Sequence, residues 1–334
     1  MSVRARTRLI PAAIVVAFLV AFGVVGIVAR STTTVSCNAP TTTTPGQLTP
    51  SGSAWYWTMV VAPSSTDQLV VGTNDGMFCS ADGGKLWQAV GPTGVNATSL
   101  VDVGHTILMG GARISSPDAS AISEVDGNRV ATNGATVLAI SSDGGVTWQT
   151  LSPPGLPKTT AIQALAVDPA DSQNLEALLN TGALYRSLNG GKSFELIRAK
   201  LGTAPWALAI TSAGSSVAGD MNTGSYVAGS MSSGSSVSPN AASWQRTAFK
   251  DAEGGRMVME YAVDPNDVAR IAMTAYGIVL STDAGKTWHP ALKSKVMFGP
   301  IAYAPGSSGI AYAIGFDGSV WHSTNAGVSW AQVT

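Results

Sequence analysis

Charge is scarce in this 334-residue chain: Asp, Glu, Lys and Arg together make up 12% of it. No run of Lys and Arg occurs, and after Arg30 the balance is 15 cations to 20 acids, beneath a formal net charge of −1. A nucleic-acid binder needs clustered cations to replace phosphate counterions, so that class is excluded. Histidine is reduced to His105, His289 and His322, far apart in sequence. Such scatter offers neither metal-ligand spacing nor a Ser-His-Asp relay, and no cofactor motif accompanies it. Cysteine is limited to Cys37 and Cys79. Helical periodicity is missing after residue 54. What replaces it is short runs of β-branched, aromatic and small residues between Gly, Pro, Asn and Asp, which are strand signals.

The first 54 residues divide in three. Arg4, Arg6 and Arg8 mark a basic tip over residues 1–8, followed by an uncharged apolar run from Leu9 to Ala29. At about 1.5 Å per residue such a run spans a hydrocarbon core of roughly 30 Å. The flanking arginines predict a cytoplasmic N-terminus and an exported body. A transmembrane signal-anchor over 9–29 is the first reading; a cleaved signal peptide with Ile27-Val28-Ala29 before the cut is the alternative. Residues 30–54 are rich in Thr, Ser and Pro and lack apolar periodicity, which predicts an extended tether. Cys37 lies in it. In an oxidising compartment Cys37 and Cys79 can form a disulfide, which would stabilise by about 4 kcal/mol in the chain-entropy picture. Two free thiols and lipidation of Cys37 are the other options.

An eight-residue stretch recurs. SSDGGVTW (141–148) has near-copies in SADGGKLW (80–87) and STDAGKTW (281–288), and weaker ones in SLNGGKSF (187–194) and STNAGVSW (323–330). The turns begin 61, 46, 94 and 42 residues apart. The gap of 94 is two periods, which predicts an eroded copy near 230–244, ahead of Trp244. Around each turn the chain repeats a plan of strand, Pro or polar turn, strand, Gly-containing turn, strand, signature turn, short strand. Four short antiparallel strands per 40–47 residues are the arithmetic of a propeller blade, and blades must stack to bury their faces. The expectation is an all-β chain: one six-bladed β-propeller over 55–334, monomeric.

The pattern Ser-x-Asp-x-Gly-x-Thr-Trp resembles the Asp-box, or BNR repeat, of sialidases, sortilin-type receptors and a photosystem assembly factor. The resemblance covers 55–334 and implies a scaffold role for the turn. The residues carrying it are Ser80, Asp82, Gly84 and Trp87; Ser141, Asp143, Gly145, Thr147 and Trp148; Ser187, Asn189, Gly191 and Phe194; Ser281, Asp283, Gly285, Thr287 and Trp288; and Ser323, Asn325, Gly327 and Trp330. Asp or Asn accepts backbone N–H bonds within the hairpin, Gly admits positive φ, and the aromatic packs the hairpin down. Asn in two copies suits a brace and not a catalytic acid.

Sialidases are known for three arginines gripping the substrate carboxylate, the first on the opening strand. No arginine occurs here between Arg30 and Arg113. The reading is therefore a non-catalytic, membrane-tethered binding module for a glycan or a protein partner. The alternatives are a divergent glycoside hydrolase and an assembly factor for a membrane complex. Two features interrupt the repeat on the face away from the signature turns. One is an insertion from Gly111 to Gly134, a lid, a partner-binding loop or a tolerated surface insertion. The other is the charged link FKDAEGGRMVME, where Lys250, Glu253, Arg256 and Glu260 offer a rim ligand site or simply a solvated loop.

Overall fold

A computed structural model describes Cys37 and residues 55–113, 122–125, 128–131, 134–200, 205–210, 216–220, 235–238, 245–247, 250, 254, 257–307 and 309–333. All of these fall in one compact unit, Val35–Thr334. The basic tip and the apolar span over 9–29 lie outside the described residues. Among those described, no helix is long and apolar enough to cross a membrane.

The described elements are all strands, and every pairing is antiparallel. The first sheet holds β1 (Tyr56–Val61), β2 (Leu69–Thr73), β3 (Gly76–Ser80) and β4 (Gln88–Val90) in sequence order. The second holds β5 (Val95–Asp102), β6 (Ile107–Arg113), β9 (Ala135–Ser141) and β10 (Gln149–Leu151). Between β6 and β9 the predicted insertion forms its own hairpin, β7 (Ile122–Val125) with β8 (Asn128–Ala131). The third sheet is β11 (Ile162–Asp168), β12 (Asp171–Leu179), β13 (Leu184–Ser187) and β14 (Glu195–Arg198). The eroded copy is a fourth sheet of the same order: β15 (Pro205–Ile210), β16 (Ser216–Asp220), β17 (Ser235–Ser238) and β18 (Gln245–Arg246).

The last sheet has six strands in sequence order: β19 (Tyr261–Asp264), β20 (Asp267–Ser281), β21 (His289–Tyr303), β22 (Ala311–Gly315), β23 (Val320–Ser323) and β24 (Ala331–Gln332). Its two long strands are each interrupted. Gly277 stands in β20 with φ +80°, and β21 pairs with β20 up to Met297 but with β22 from Phe298 onward.

Most of the hydrophobic clusters lie between sheets, as expected of faces that cannot be buried alone, and one joins the two halves of the last sheet. One joins Val60, Val70 and Met77 of the first sheet to Val95, Met109 and Val137 of the second. Others join Leu108 to Leu175, Leu178 to Leu208, Ala207 to Tyr261, and Ala272 to Phe298. The last joins Met59, Leu69 and Trp87 to Tyr312, Ile314 and Val320. The first strands also meet in order: β1 touches β5, β5 touches β11, β11 touches β15, β15 touches β19, β19 touches β21, and β21 touches β1. At that last junction the backbones cross so closely that a Cβ on Gly299 would sit 2.3 Å from the Tyr56 carbonyl oxygen. Only glycine fits there.

Cys37 and Cys79 are disulfide-bonded. Cys37 is 5% exposed and packs in the cluster between the first two sheets. Cys37 of the predicted tether is therefore docked against the first two sheets, and the rest of 30–54 lies outside the described residues.

Candidate binding site

The signature turns share one hydrogen-bond scheme. Ser141 Oγ donates to Asp143 Oδ1 at 2.8 Å and accepts from Gly145 N at 2.9 Å. Asp143 Oδ1 accepts from Val146 N at 3.1 Å and Thr147 N at 2.9 Å. Trp148 Nε1 returns to the Gly145 carbonyl at 2.8 Å. Gly145 has φ +92°, and its neighbour Val70 comes within 2.3 Å of where a Cβ would be, so glycine is required twice over. The same bonds form at Ser80, Asp82, Gly84 and Trp87, and again at Ser323, Asn325, Gly327 and Trp330. At Ser281, Asp283, Gly285 and Thr287 they recur, with Trp288 reaching Thr247. At Ser187, Asn189 and Gly191 they recur with Phe194 buried beneath.

Three of the turns are pinned at the start of their sheet's second strand. Gly83 N donates to Asp67 O, Gly190 N to Gln173 O, and Ala284 N to Ala269 O. Burial opposes ionisation of Asp143 and Asp283, but hydrogen bonds from Thr147 and Thr287 outweigh it and hold both pKa values below the ordinary carboxylate range. Every lone pair used by these acids faces the hairpin. The turns are braces.

The opposite ends of the first strands carry a different regularity. The register slips between Tyr56 and Thr58, between Ala97 and Ser99, between Ile162 and Ala164, between Pro205 and Ala207, and between Phe298 and Ile301. The bulged residues are Trp57, Thr98, Gln163, Trp206 and the pair Gly299-Pro300. Trp57, Gln163 and Gly299 each stand six residues before a strand-ending proline, Pro63, Pro169 and Pro305, and so does Met259 before Pro265. A β-bulge re-aims a side chain and bends its strand. Trp57, Thr98, Gln163 and Met259 line a cavity of about 330 Å³ enclosed by the first strands, within the range of small-ligand pockets.

One position further along, side chains staple neighbouring sheets. Thr58 Oγ1 accepts from Leu100 N at 2.9 Å, Ser99 Oγ from Leu165 N at 2.8 Å, and Glu260 Oε2 from Ile301 N at 3.0 Å. Glu260 also accepts the Thr58 hydroxyl. It is half-buried in the cavity wall. Burial pushes its carboxyl well above the ordinary range, and the bonds from Thr58 and Ile301 only partly offset this.

Of the four residues expected at a charged rim, Lys250 is exposed and does not line the cavity, while Glu253 and Arg256 lie outside the described residues. Glu260 lies in the cavity wall. Two more carboxyls line the cavity towards its brace end. Asp168 is spent on its own turn, accepting from Ala170 N at 2.9 Å and Asn174 Nδ2 at 3.1 Å. Burial raises Asp102, and its Oδ1 is without a partner. Among the described residues no Lys, Arg or His lines the cavity, and no three His, Cys, Asp or Glu side chains converge as metal ligands.

The family profile described as BNR/Asp-box repeat matches residues 279–290, the fourth of the five turns. The other four turns reproduce its Ser, Asp/Asn and Gly bonds. This chain carries BNR/Asp-box repeats on a propeller of antiparallel sheets. No curated protein matches the chain. Among solved structures it is similar to U3-55K, at 11% identity over 89% of this chain and 85% of that one, with a TM-score of 0.50. It is also similar to YCF48 bound to D1 peptide, at 18% identity over 89% and 86% with a TM-score of 0.47. A GH74 enzyme of Niastella koreensis matches at 14% identity over 82% of this chain and 55% of that one, with a TM-score of 0.38. At such identities the likeness concerns fold alone.

Sequence reasoning singled out the braces and Glu260 but passed over Trp57, Thr98 and Gln163. The signal that would have found them is their fixed distance from the strand-ending proline or its equivalent.

Proposed function

We propose that the chain is a non-catalytic binding module: a six-bladed propeller, exported and tethered by its N-terminal apolar span. The blade count is supported by dividing β20 at Gly277 and β21 after Met297, which gives the last sheet two sets of four strands like the other four sheets. Contact of β21 with β1 supports closure of the ring. The arrangement of carboxyls in the cavity carries the functional reading. A glycosidase needs two carboxyl groups about 5–10 Å apart across its substrate. Here Glu260 is tied to Thr58 and Ile301 and Asp168 to its own turn, so among the described lining carboxyls Asp102 alone keeps an oxygen without a partner. A sialidase-like grip on an anion is opposed by the lack of a cation among the described lining residues. Export is supported by the buried Cys37–Cys79 bridge, since disulfides persist in oxidising compartments.

The test is hydrolysis. Full-length protein in detergent micelles, incubated with a panel of neutral β-glucans and sialosides, is expected to release no reducing ends. Turnover in the wild type that Glu260→Gln abolishes would show an enzyme and end the binding reading.

A further inference from the structure

The cavity's polar inventory says what it can hold. At the bulge end the lining includes Thr98, Ser99, Gln163 and Glu260. Three of these are committed to the protein itself. Thr98 Oγ1 donates to the carbonyls of Ile162 and Gly110, and Thr58, Ser99 and Glu260 form the staples between sheets. Gln163 is different. It is 9% exposed, sits on a bulge, lines the cavity, and its amide makes no hydrogen bond. A primary amide carries two N–H donors and a carbonyl acceptor, which are left for a ligand to pair. Around it the wall is apolar: Met59, Leu100, Leu165, Leu208, Met259 and Ile301.

Three ligand chemistries can be compared with that wall. An anion finds no cation among the described lining residues. A sugar would bring a hydroxyl on nearly every carbon and find one free amide, so most of its hydroxyls would be buried unpaired. An apolar side chain flanked by a peptide group leaves nothing unpaired, because the peptide N–H and C=O match the amide donor for acceptor.

We infer that the bulge end of the cavity receives an apolar side chain from an extended, uncharged segment of a protein partner, with Gln163 pairing the adjacent peptide group. This rests on the binding-module reading and narrows it to one partner class and one anchoring residue. The five bulges are then more than tolerated irregularities. Three of the bulged residues, Trp57, Thr98 and Gln163, line the cavity, and Gln163 brings it an amide with no hydrogen-bond partner among the described residues.

The test uses the full-length protein in detergent micelles as bait for random heptapeptides displayed on phage. Enriched sequences are expected to share a Leu, Ile, Met or Phe between uncharged residues. Gln163→Leu removes the amide without breaking any internal hydrogen bond and is expected to weaken the selected peptides about tenfold or more at unchanged melting temperature. Gln163→Met serves if the leucine variant does not fold. Unchanged affinity in that variant overturns the assignment while leaving the binding-module reading in place. So does a charged consensus, no enrichment over bare micelles, or displacement of bound peptide by glucose or cellobiose. Glycan hydrolysis in the assay described above is the separate result that removes the module reading itself.

Discussion

At the brace end of the sheets the same hydrogen bonds recur with the same residues, Ser, Asp or Asn, and Gly; at the bulge end the same register slip recurs over residues of differing kind. Tryptophan stands there twice, at Trp57 and Trp206, but Thr98, Gln163 and Gly299 share no chemistry with it or with one another. A turn whose function is to satisfy its own backbone can use only a few side chains, so it is copied faithfully. A bulge needs nothing from its side chain, which leaves that side chain at liberty to face a partner. Repetition of residues marks the scaffold here, and repetition of geometry with varied residues marks the candidate site.

The largest expected losses lie at the brace end. Trp87 is 1% exposed between the first and last sheets and ties its indole to Gly84. Trp87→Ala is expected to cost about 3–5 kcal/mol in chemical unfolding. The pair Cys37→Ser and Cys79→Ser should cost about 4 kcal/mol by the chain-entropy argument for a loop of this length, without altering peptide selection. Gln163→Leu should by contrast leave unfolding unchanged. A bulge-end loss matching the Trp87 loss would break the division between scaffold and site.

Glu260 sharpens the comparison, because it occupies the cavity wall but acts as a staple. Glu260→Ala leaves Ile301 N and the Thr58 hydroxyl without their acceptor, an expected loss of about 1–3 kcal/mol. Its pH dependence has a definite sign. A carboxyl whose folded pKa is raised binds its proton more tightly folded than unfolded. Its contribution is therefore complete below the unfolded value of about 4.3 and is lost as pH rises through the raised folded value. Wild type should thus lose stability relative to Glu260→Gln as pH climbs above about 5, whereas the Gln variant should show a flatter profile. Urea unfolding at a series of pH values decides it, and parallel profiles would mean that Glu260 is not buried as described.

The braces were legible because eight residues are copied almost letter for letter, and each letter has a local physical task. The strand plan followed from the punctuation around them, and the eroded sheet from a gap of two periods. The bulges were not legible, since no residue type encodes a register slip that the partner strand and the next sheet impose together. Glu260 was drawn towards the solvated link before it by the company of Lys250, Glu253 and Arg256. Its position matches Thr58 and Ser99, but that match becomes visible only when the staples are seen to bond equivalent backbone N–H groups. The pairing of the two cysteines stayed open because their spacing alone does not bring a tether residue to β3.

The smallest expected effect concerns how a brace chooses between Asp and Asn. In two of the three Asp turns the hydroxyl four residues on is the donor: Thr147 donates to Asp143 Oδ2 and Thr287 to Asp283 Oδ2, whereas Asp82 has Leu86 at that place. In the Asn turns the direction reverses, with Asn189 Nδ2 donating to Ser193 Oγ at 2.7 Å and Asn325 Nδ2 to Ser329 Oγ at 2.8 Å. Where a hydroxyl is present, Asp is thus paired with Thr and Asn with Ser, and each pair keeps one hydrogen bond. A hydroxyl can serve as donor or acceptor by rotating, so Asp143→Asn should cost no more than about 1 kcal/mol. Adding Thr147→Ser to it should recover part of that loss, because it recreates the pair found at Asn189. The acid limb separates the two chemistries further. Asp143 has a lowered folded pKa, so its contribution is present above the unfolded value of about 3.9 and falls away as pH drops through the folded one. The Asn variant should lack that fall. If Asp143→Asn instead destabilises as much as Trp87→Ala, the carboxylate holds more than its own hairpin, and the brace and the site are not separate.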